Sequence, residues 1–249
     1  MFPIRDHNPS GRTPYVVYAL MILNVGIFIL TWPILDDPQR IGALFYDWAL
    51  IPYDVSNGDK PLGLFTSMFL HGGVLHIAGN MLFLWVFGDN MEDEMGHVGF
   101  AVFYTLCGLA AGMAQVISDP TSQIPTVGAS GAIAGVMGGY LLMFPKARVD
   151  VILIVIIFFK IFPVPAWVVL GVWFGLQLFN GTMTDAATSG VAHWAHAGGF
   201  VAGVLFTIPL WRRRGGPAYW QKTHGRPNNP ATKLSTTTSL VPIVRRKKK

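Results

Sequence analysis

Charge is what this chain has least of. Only 12% of its 249 residues are Asp, Glu, Lys or Arg, against roughly 25% in an average soluble domain. The 52% hydrophobic content is gathered in long runs, which excludes a pair of ordinary soluble domains and leaves one integral membrane domain. Cysteine is nearly absent too. The single Cys107 lies in an apolar run, so an internal disulfide and a cysteine metal cluster are excluded and the residue reads as packing. No H-E-x-x-H occurs, which disfavours a zinc metalloprotease. Neither a metal nor a cofactor is expected, and no convincing internal repeat is present.

A window of about 19 residues gives candidate spans near 15–33, 64–88, 97–118, 131–144, 165–181 and 195–211. The first is too long for a signal-peptide core and lacks a small-residue cleavage site, so it is expected to remain as an anchor. Six spans put both termini on one side. Arg5, Arg12, Lys146, Arg148, Arg212, Arg213 and Arg214 all fall on that side, whereas the opposite loops carry little more than Arg40 and Lys60. The positive-inside rule makes the basic side cytoplasmic. The expected division is a short cytoplasmic N-terminus at 1–14, a six-span membrane domain at 15–211 and a basic cytoplasmic tail at 212–249. From residue 215 the tail is rich in Pro, Thr, Asn and Lys without apolar periodicity, and disorder is expected there. The net charge of +5 needs no nucleic acid. Positive-inside loops and the terminal cluster Arg245 to Lys249 account for it, and that cluster suits anionic lipid.

Two segments need separate treatment. Residues 149–164 are apolar and β-branched but run into Pro163 and Pro165. Either the fifth span starts early and breaks, or this stretch is cytoplasmic or interfacial and the span begins at Pro165. The second reading is favoured because it leaves Lys160 at the water interface. The outer loop 34–63 holds Phe45, Tyr46, Trp48, Leu50, Ile51 and Tyr53, a composition suited to lying in the interface.

Ionisable and amide side chains inside membrane helices are costly, and their default reading is functional. The candidates are His71, His76, Asn80, Ser130 and His196. Ser130 precedes Pro145 by fifteen residues and His196 precedes Trp211 by fifteen, which puts both roughly 22 Å above the cytoplasmic edge. His76, thirteen residues before Asp89, lies at roughly 20 Å by the same rise. Three helices thus bring polar groups to one depth. His76 and Asn80 share a helical face, while Gly72 and Gly73 interrupt the helix and set His71 at the mouth of the site. Gly131, Gly135, Gly138 and Gly139 on the fourth span, with Gly199 and Gly203 on the sixth, allow close backbone approach.

A serine hydroxyl needs an adjacent base, which His196 would supply for Ser130. An oxyanion needs donors, for which the Ser130 amide, Asn80 and His76 are candidates. No Asp or Glu lies near His196 in sequence except Asp185, so a Ser-His dyad is expected. Bland readings exist for each part. A lone G-x-S-G among 28 glycines is a weak signal, G-x-x-x-G is usually only a packing face, and membrane histidines serve as structural hydrogen-bonders, as His97 and His193 at span edges are expected to do. A non-catalytic binding protein, haem ligation and a proton path are the alternatives.

Taken in order, His71-x-x-x-x-His76-x-x-x-Asn80, Gly128-Ala129-Ser130-Gly131 and Ala195-His196-x-x-Gly199-x-x-x-Gly203 resemble the signature of the rhomboid intramembrane serine proteases, on the second, fourth and sixth spans. The resemblance covers about 15–211. It implies an all-α polytopic membrane protein, a six-helix rhomboid-like bundle with an interfacial first outer loop, in the cell membrane and most simply a bacterial inner membrane. It implies Ser130 as nucleophile, His196 as base and His76, Asn80 and the Ser130 amide as oxyanion hole, with His71, Gly128, Gly131, Gly199 and Gly203 supporting. Substrates would be single transmembrane helices, cut near the outer face at small residues. Glu92 resembles the family's acidic residue after the second span, for which a solvated-loop role is the competing reading. Leu62-Gly63 stands where some members carry a Trp-Arg pair. Ala134 stands where some carry an aromatic, so the His196 ring is expected to be held in another way.

Overall fold

A computed structural model describes residues 2–8, 10–155, 158–183 and 190–225. Six apolar helices lie where the hydropathy places spans: α1 (Tyr15–Thr31), α5 (Val74–Met95), α6 (His97–Ser118), α7 (Ser130–Met143), α8 (Ala166–Met183) and α9 (His193–Arg213). By length and composition α1, α6, α8 and α9 can each cross a membrane alone. The helix α5 qualifies together with the short stretch Gly63–Phe69, from which it is bent by 93°. That bend falls at Gly72-Gly73, where the glycines were expected to interrupt the helix.

The helix α7 is different. Its 14 residues give roughly 21 Å of rise, less than a bilayer core of about 30 Å. It survives because it is wrapped: every residue from Gly131 to Tyr140 is buried. Its N-terminus therefore ends inside the bundle, well short of one surface, and Ser130 with it. Small residues make the wrapping close. A Cβ on Gly199 would strike the Gly131 carbonyl oxygen, and one on Gly203 the Gly135 carbonyl oxygen, so α7 and α9 touch through their backbones. On the other side, a Cβ on Gly135 would lie 2.5 Å from Cys107 Sγ, which identifies the lone cysteine as a packing residue of α6.

The loop between the first two spans folds into helices α2 (Pro38–Trp48), α3 (Pro52–Ser56) and α4 (Gly63–Thr66). Asp37 caps α2 by accepting from the backbone N–H groups of Gln39 and Arg40, at 3.0 and 3.1 Å. Tyr46 and Trp48 stay half-exposed or more while Leu50 and Ile51 are buried, as an interfacial loop requires.

Three features of the basic end go beyond the sequence expectations. Residues expected to be an interfacial segment form an antiparallel hairpin, β2 (Arg148–Val155) and β3 (Phe158–Pro165), with α8 beginning directly after Pro165. The N-terminus adds a strand, β1 (Phe2–Asp6), giving the order β1-β2-β3. Arg5 and His7 hold the buried Asp150 at 2.7 and 2.6 Å, and the carboxyl pKa is lowered because His7 and Arg5 donate to it. Part of the stretch expected to be disordered, finally, is folded. Residues 217–223 form a helix, α10 (Pro217–Thr223), with Tyr219 buried and Trp220 Nε1 donating to the Leu142 carbonyl at 2.9 Å. Aromatic anchors within a polar stretch are enough to dock it. Residues 226–249, including Arg245 to Lys249, lie outside the described residues, as does Asp185.

Contacts tie the basic residues to one end of the bundle. Arg214 pairs with Glu94 at 2.7 Å, Arg12 lies 3.6 Å from Asp93, and the Lys146 backbone N–H donates to the Gly225 carbonyl. Glu92 belongs to this end and is not a solvated-loop residue. It is fully buried, accepts from the Val16 and Val17 N–H groups at 2.9 and 2.8 Å, and pairs with His97 Nδ1 at 2.5 Å. Free N–H groups at the start of α1 thereby receive a carboxylate, which pins α1 to α5.

Candidate active site

Ser130 opens α7 and His196 is the fourth residue of α9. Their side chains meet: Ser130 Oγ lies 2.7 Å from His196 Nε2. The backbone contact between Gly131 and Gly199 sits directly beside this pair and leaves no room for a spacer. A hydroxyl against an unprotonated imidazole nitrogen at this distance can pass its proton directly.

The turn before Ser130 is equally constrained. Gly128 has φ +127, a conformation that L side chains rarely adopt, and its N–H donates to the Ser67 carbonyl at 2.8 Å. A Cβ there would come 2.6 Å from His76 Nε2, so Gly128 makes room for that imidazole beside Ser130. His76 lies in the first turn of α5 and Asn80 one turn further on. The Gly72 N–H makes a long 3.5 Å contact to His76 Nδ1, directing Nε2 towards Gly128. Asn80 is buried, and its Nδ2 has no hydrogen-bond partner among the described residues. An unpaired buried donor is costly unless something transient accepts from it. His71, before the bend, stacks edge-on to His76 with ring centroids 5.1 Å apart. A cavity of about 1050 Å³ joins these parts, lined by Ser130, His196, His76, Asn80 and Gly128. His71 is brought beside His76 but does not line it.

Sequence reasoning missed what surrounds His196. Gln177 of α8 places Oε1 2.9 Å from His196 Nδ1 and 2.8 Å from His193 Nδ1. Trp173, one turn earlier on α8, lies 5.8 Å from the His196 ring at 36°. It occupies the role left open by Ala134: an aromatic against the imidazole, contributed by α8 instead of α7. On α6, Gln115 Oε1 accepts from the Ala195 N–H at 3.2 Å and steadies the start of α9. The signal for Gln177 was present, because it is the one amide in the run from Ala166 to Phe179 and carries the same burial cost as Asn80.

A rhomboid domain family model matches residues 59–213, which contain all of these side chains. Among curated proteins the chain is similar to RHOMBOID-like protein 4 of Arabidopsis thaliana, 27% identical over 79% of this chain and 52% of that protein. Rhomboid protein 1, mitochondrial, of Saccharomyces cerevisiae is 27% identical over 77% of this chain and 52% of its own length. Rhomboid protease GlpG of Klebsiella pneumoniae is 25% identical over 77% and 64%. The chain spans about half the length of the first two. With the family model covering more than half of its residues, and with a largely helical bundle of apolar helices to match, this chain belongs to the rhomboid family.

Proposed function

We propose that this protein is an intramembrane serine endopeptidase that cleaves the transmembrane helices of other membrane proteins. The 2.7 Å contact between Ser130 Oγ and His196 Nε2, part-buried between apolar helices, carries the reading. Ser130 Oγ attacks the scissile carbonyl carbon while His196 Nε2 takes the hydroxyl proton, and the carbonyl oxygen becomes an oxyanion. His76, Asn80 and Ser130 line the cavity where that charge develops, and His76 Nε2, Asn80 Nδ2 and the Ser130 N–H are its donors in this reading. The C–N bond breaks as Nε2 returns the proton to the leaving amine. Water entering by the cavity then hydrolyses the acyl-serine, with His196 as base again.

Non-catalytic binding and haem ligation leave the Ser130–His196 contact without a purpose. Both termini are assigned to the cytoplasm, with the cavity nearer the opposite face, on the positions of Arg12, Lys146, Arg148 and Arg212 to Arg214. The basic tail at 212–249 belongs to that side, and the membrane is assigned as a cell membrane. The test is cleavage of a labelled single-span helix in liposomes. Ser130→Ala and His196→Ala each abolish it while the protein still inserts and folds, since nucleophile and base act as one unit. Wild-type cleavage by Ser130→Ala refutes the assignment.

A further inference from the structure

A carboxamide oxygen accepts hydrogen bonds and never donates them. Gln177 Oε1 receives Nδ1 of His196 at 2.9 Å and Nδ1 of His193 at 2.8 Å, so each of those nitrogens carries a hydrogen. In a neutral imidazole the other nitrogen is then the acceptor. For His196 that is Nε2, the atom facing Ser130 Oγ. The opposite tautomer would present an N–H to the hydroxyl and could not take its proton. We propose that Gln177 is a positioning residue for the reaction, its oxygen holding His196 in the Nδ1–H tautomer, so that the working unit is a Ser130–His196–Gln177 chain and not a dyad. This rests on the reading of Ser130 and His196 as nucleophile and base.

The second donor matters. A flipped amide would set its NH₂ group against both Nδ1 atoms and hold both imidazoles in the Nε2–H tautomer, which could not take the Ser130 proton, so the Oε1 orientation is the one the reaction needs. His193 therefore orients the residue that orients His196, which is a more specific duty than that of a histidine at a span edge. The acceptor is neutral, so it fixes direction without adding a full negative charge beside the imidazolium that forms during attack. The titratable groups facing His196 are His193 on its own helix, with ring centroids 6.4 Å apart, and His76 on α5. Gln177 and Trp173 both sit on α8, so one helix supplies both the oxygen below the ring and the aromatic against its face.

The experiment uses the full chain in liposomes with a fluorogenic single-span helix. Ser130→Ala is run in parallel, and cleavage by it would refute the underlying reading independently of Gln177. Gln177→Ala lowers kcat about 10- to 100-fold, the size of effect a slightly misplaced catalytic group produces, and leaves KM unchanged. Gln177→Glu keeps an acceptor in place, so it recovers most of kcat at neutral and alkaline pH. Its carboxylate also stabilises the imidazolium, so the acid limb of kcat moves to higher pH. A residue that only packs α8 against α9 would not show the recovery. Wild-type kcat in Gln177→Ala overturns the proposal, as does an equal loss in the Ala and Glu variants at every pH. Should Gln177→Ala fail to fold, an acid limb in Gln177→Glu at the wild-type position overturns it.

Discussion

His196 is held by two very different neighbours. On one side α7 and α9 meet backbone to backbone through Gly131, Gly135, Gly199 and Gly203. On the other, α8 buries only Ala166, Leu170 and Gln177, and exposes Trp167, Val172, Leu176 and Phe179. The difference separates two requirements of the chemistry. The distance between the proposed nucleophile and base is fixed by main chain, which has almost no freedom to adjust. The orientation of the base is set by two side chains on a helix that could move without disturbing that distance.

Variants that break the comparison have graded effects. The largest belongs to the proposed oxyanion donors, which would act only as charge develops. His76→Ala or Asn80→Ala lowers kcat roughly 100- to 1000-fold with little change in KM. Single-turnover measurements separate this from binding, and unchanged turnover in both would reduce these residues to structural hydrogen-bonders.

Next comes the close-packed side. Gly199→Val drives a side chain into the Gly131 carbonyl and pushes α9 from α7, and a displacement of about 1 Å at a catalytic pair costs on the order of 100-fold. Its partner experiment is Gly171→Val on α8, where a Cβ meets nothing within 4 Å. Full activity in Gly171→Val beside loss in Gly199→Val sustains the comparison. Equal loss in both means that α8 is packed as tightly as α9. Trp173→Ala, which removes a ring from the face of His196, lowers kcat by about 10-fold or less, because Gln177 still holds Nδ1. A loss as large as that of Gly199→Val would show that ring contact, and not backbone packing, sets the geometry.

The two sides were not equally legible in the sequence. Ser130 and His196 could be placed together because apolar run lengths report depth, and G-x-x-x-G reports close approach. Gln177 could have been found by the cost argument applied to Asn80, but within the span its partners were undefined until the helices were packed. The sheet at the basic end was out of reach for another reason. An apolar, β-branched run at 149–164 has no periodicity that separates a strand from a span, and its partner β1 lies more than 140 residues away. Docking of α10 depends on Tyr219 and Trp220, two aromatics in a stretch whose average composition reads as disordered.

The smallest effect on turnover is expected at the strap that β1 makes across the basic end. Asp6 Oδ2 accepts from Asn90 Nδ2 at 2.9 Å and from the Tyr140 hydroxyl at 3.0 Å. Burial, with Asp89 adding like charge, pushes the Asp6 carboxyl up to about 7. A carboxyl whose pKa is raised on folding binds its proton more tightly in the docked state. Its contribution to docking is therefore complete below the ordinary value near 3.8 and is lost as pH rises through about 7. Hydrogen exchange of the β1 amides, corrected for intrinsic rates, is expected to quicken between pH 5 and pH 8 in the wild type. Asp6→Asn keeps a neutral acceptor for Asn90 and removes the Asp6 titration, so its β1 protection loses most of its pH dependence while proteolysis stays within about two-fold of wild type, as for a change that touches no catalytic group. If Asp6→Asn retains the full pH dependence, another group controls the strap. If it loses turnover as Gly199→Val does, the basic end is coupled to the Ser130–His196 pair, and the separation between rigid distance and adjustable orientation has to include β1.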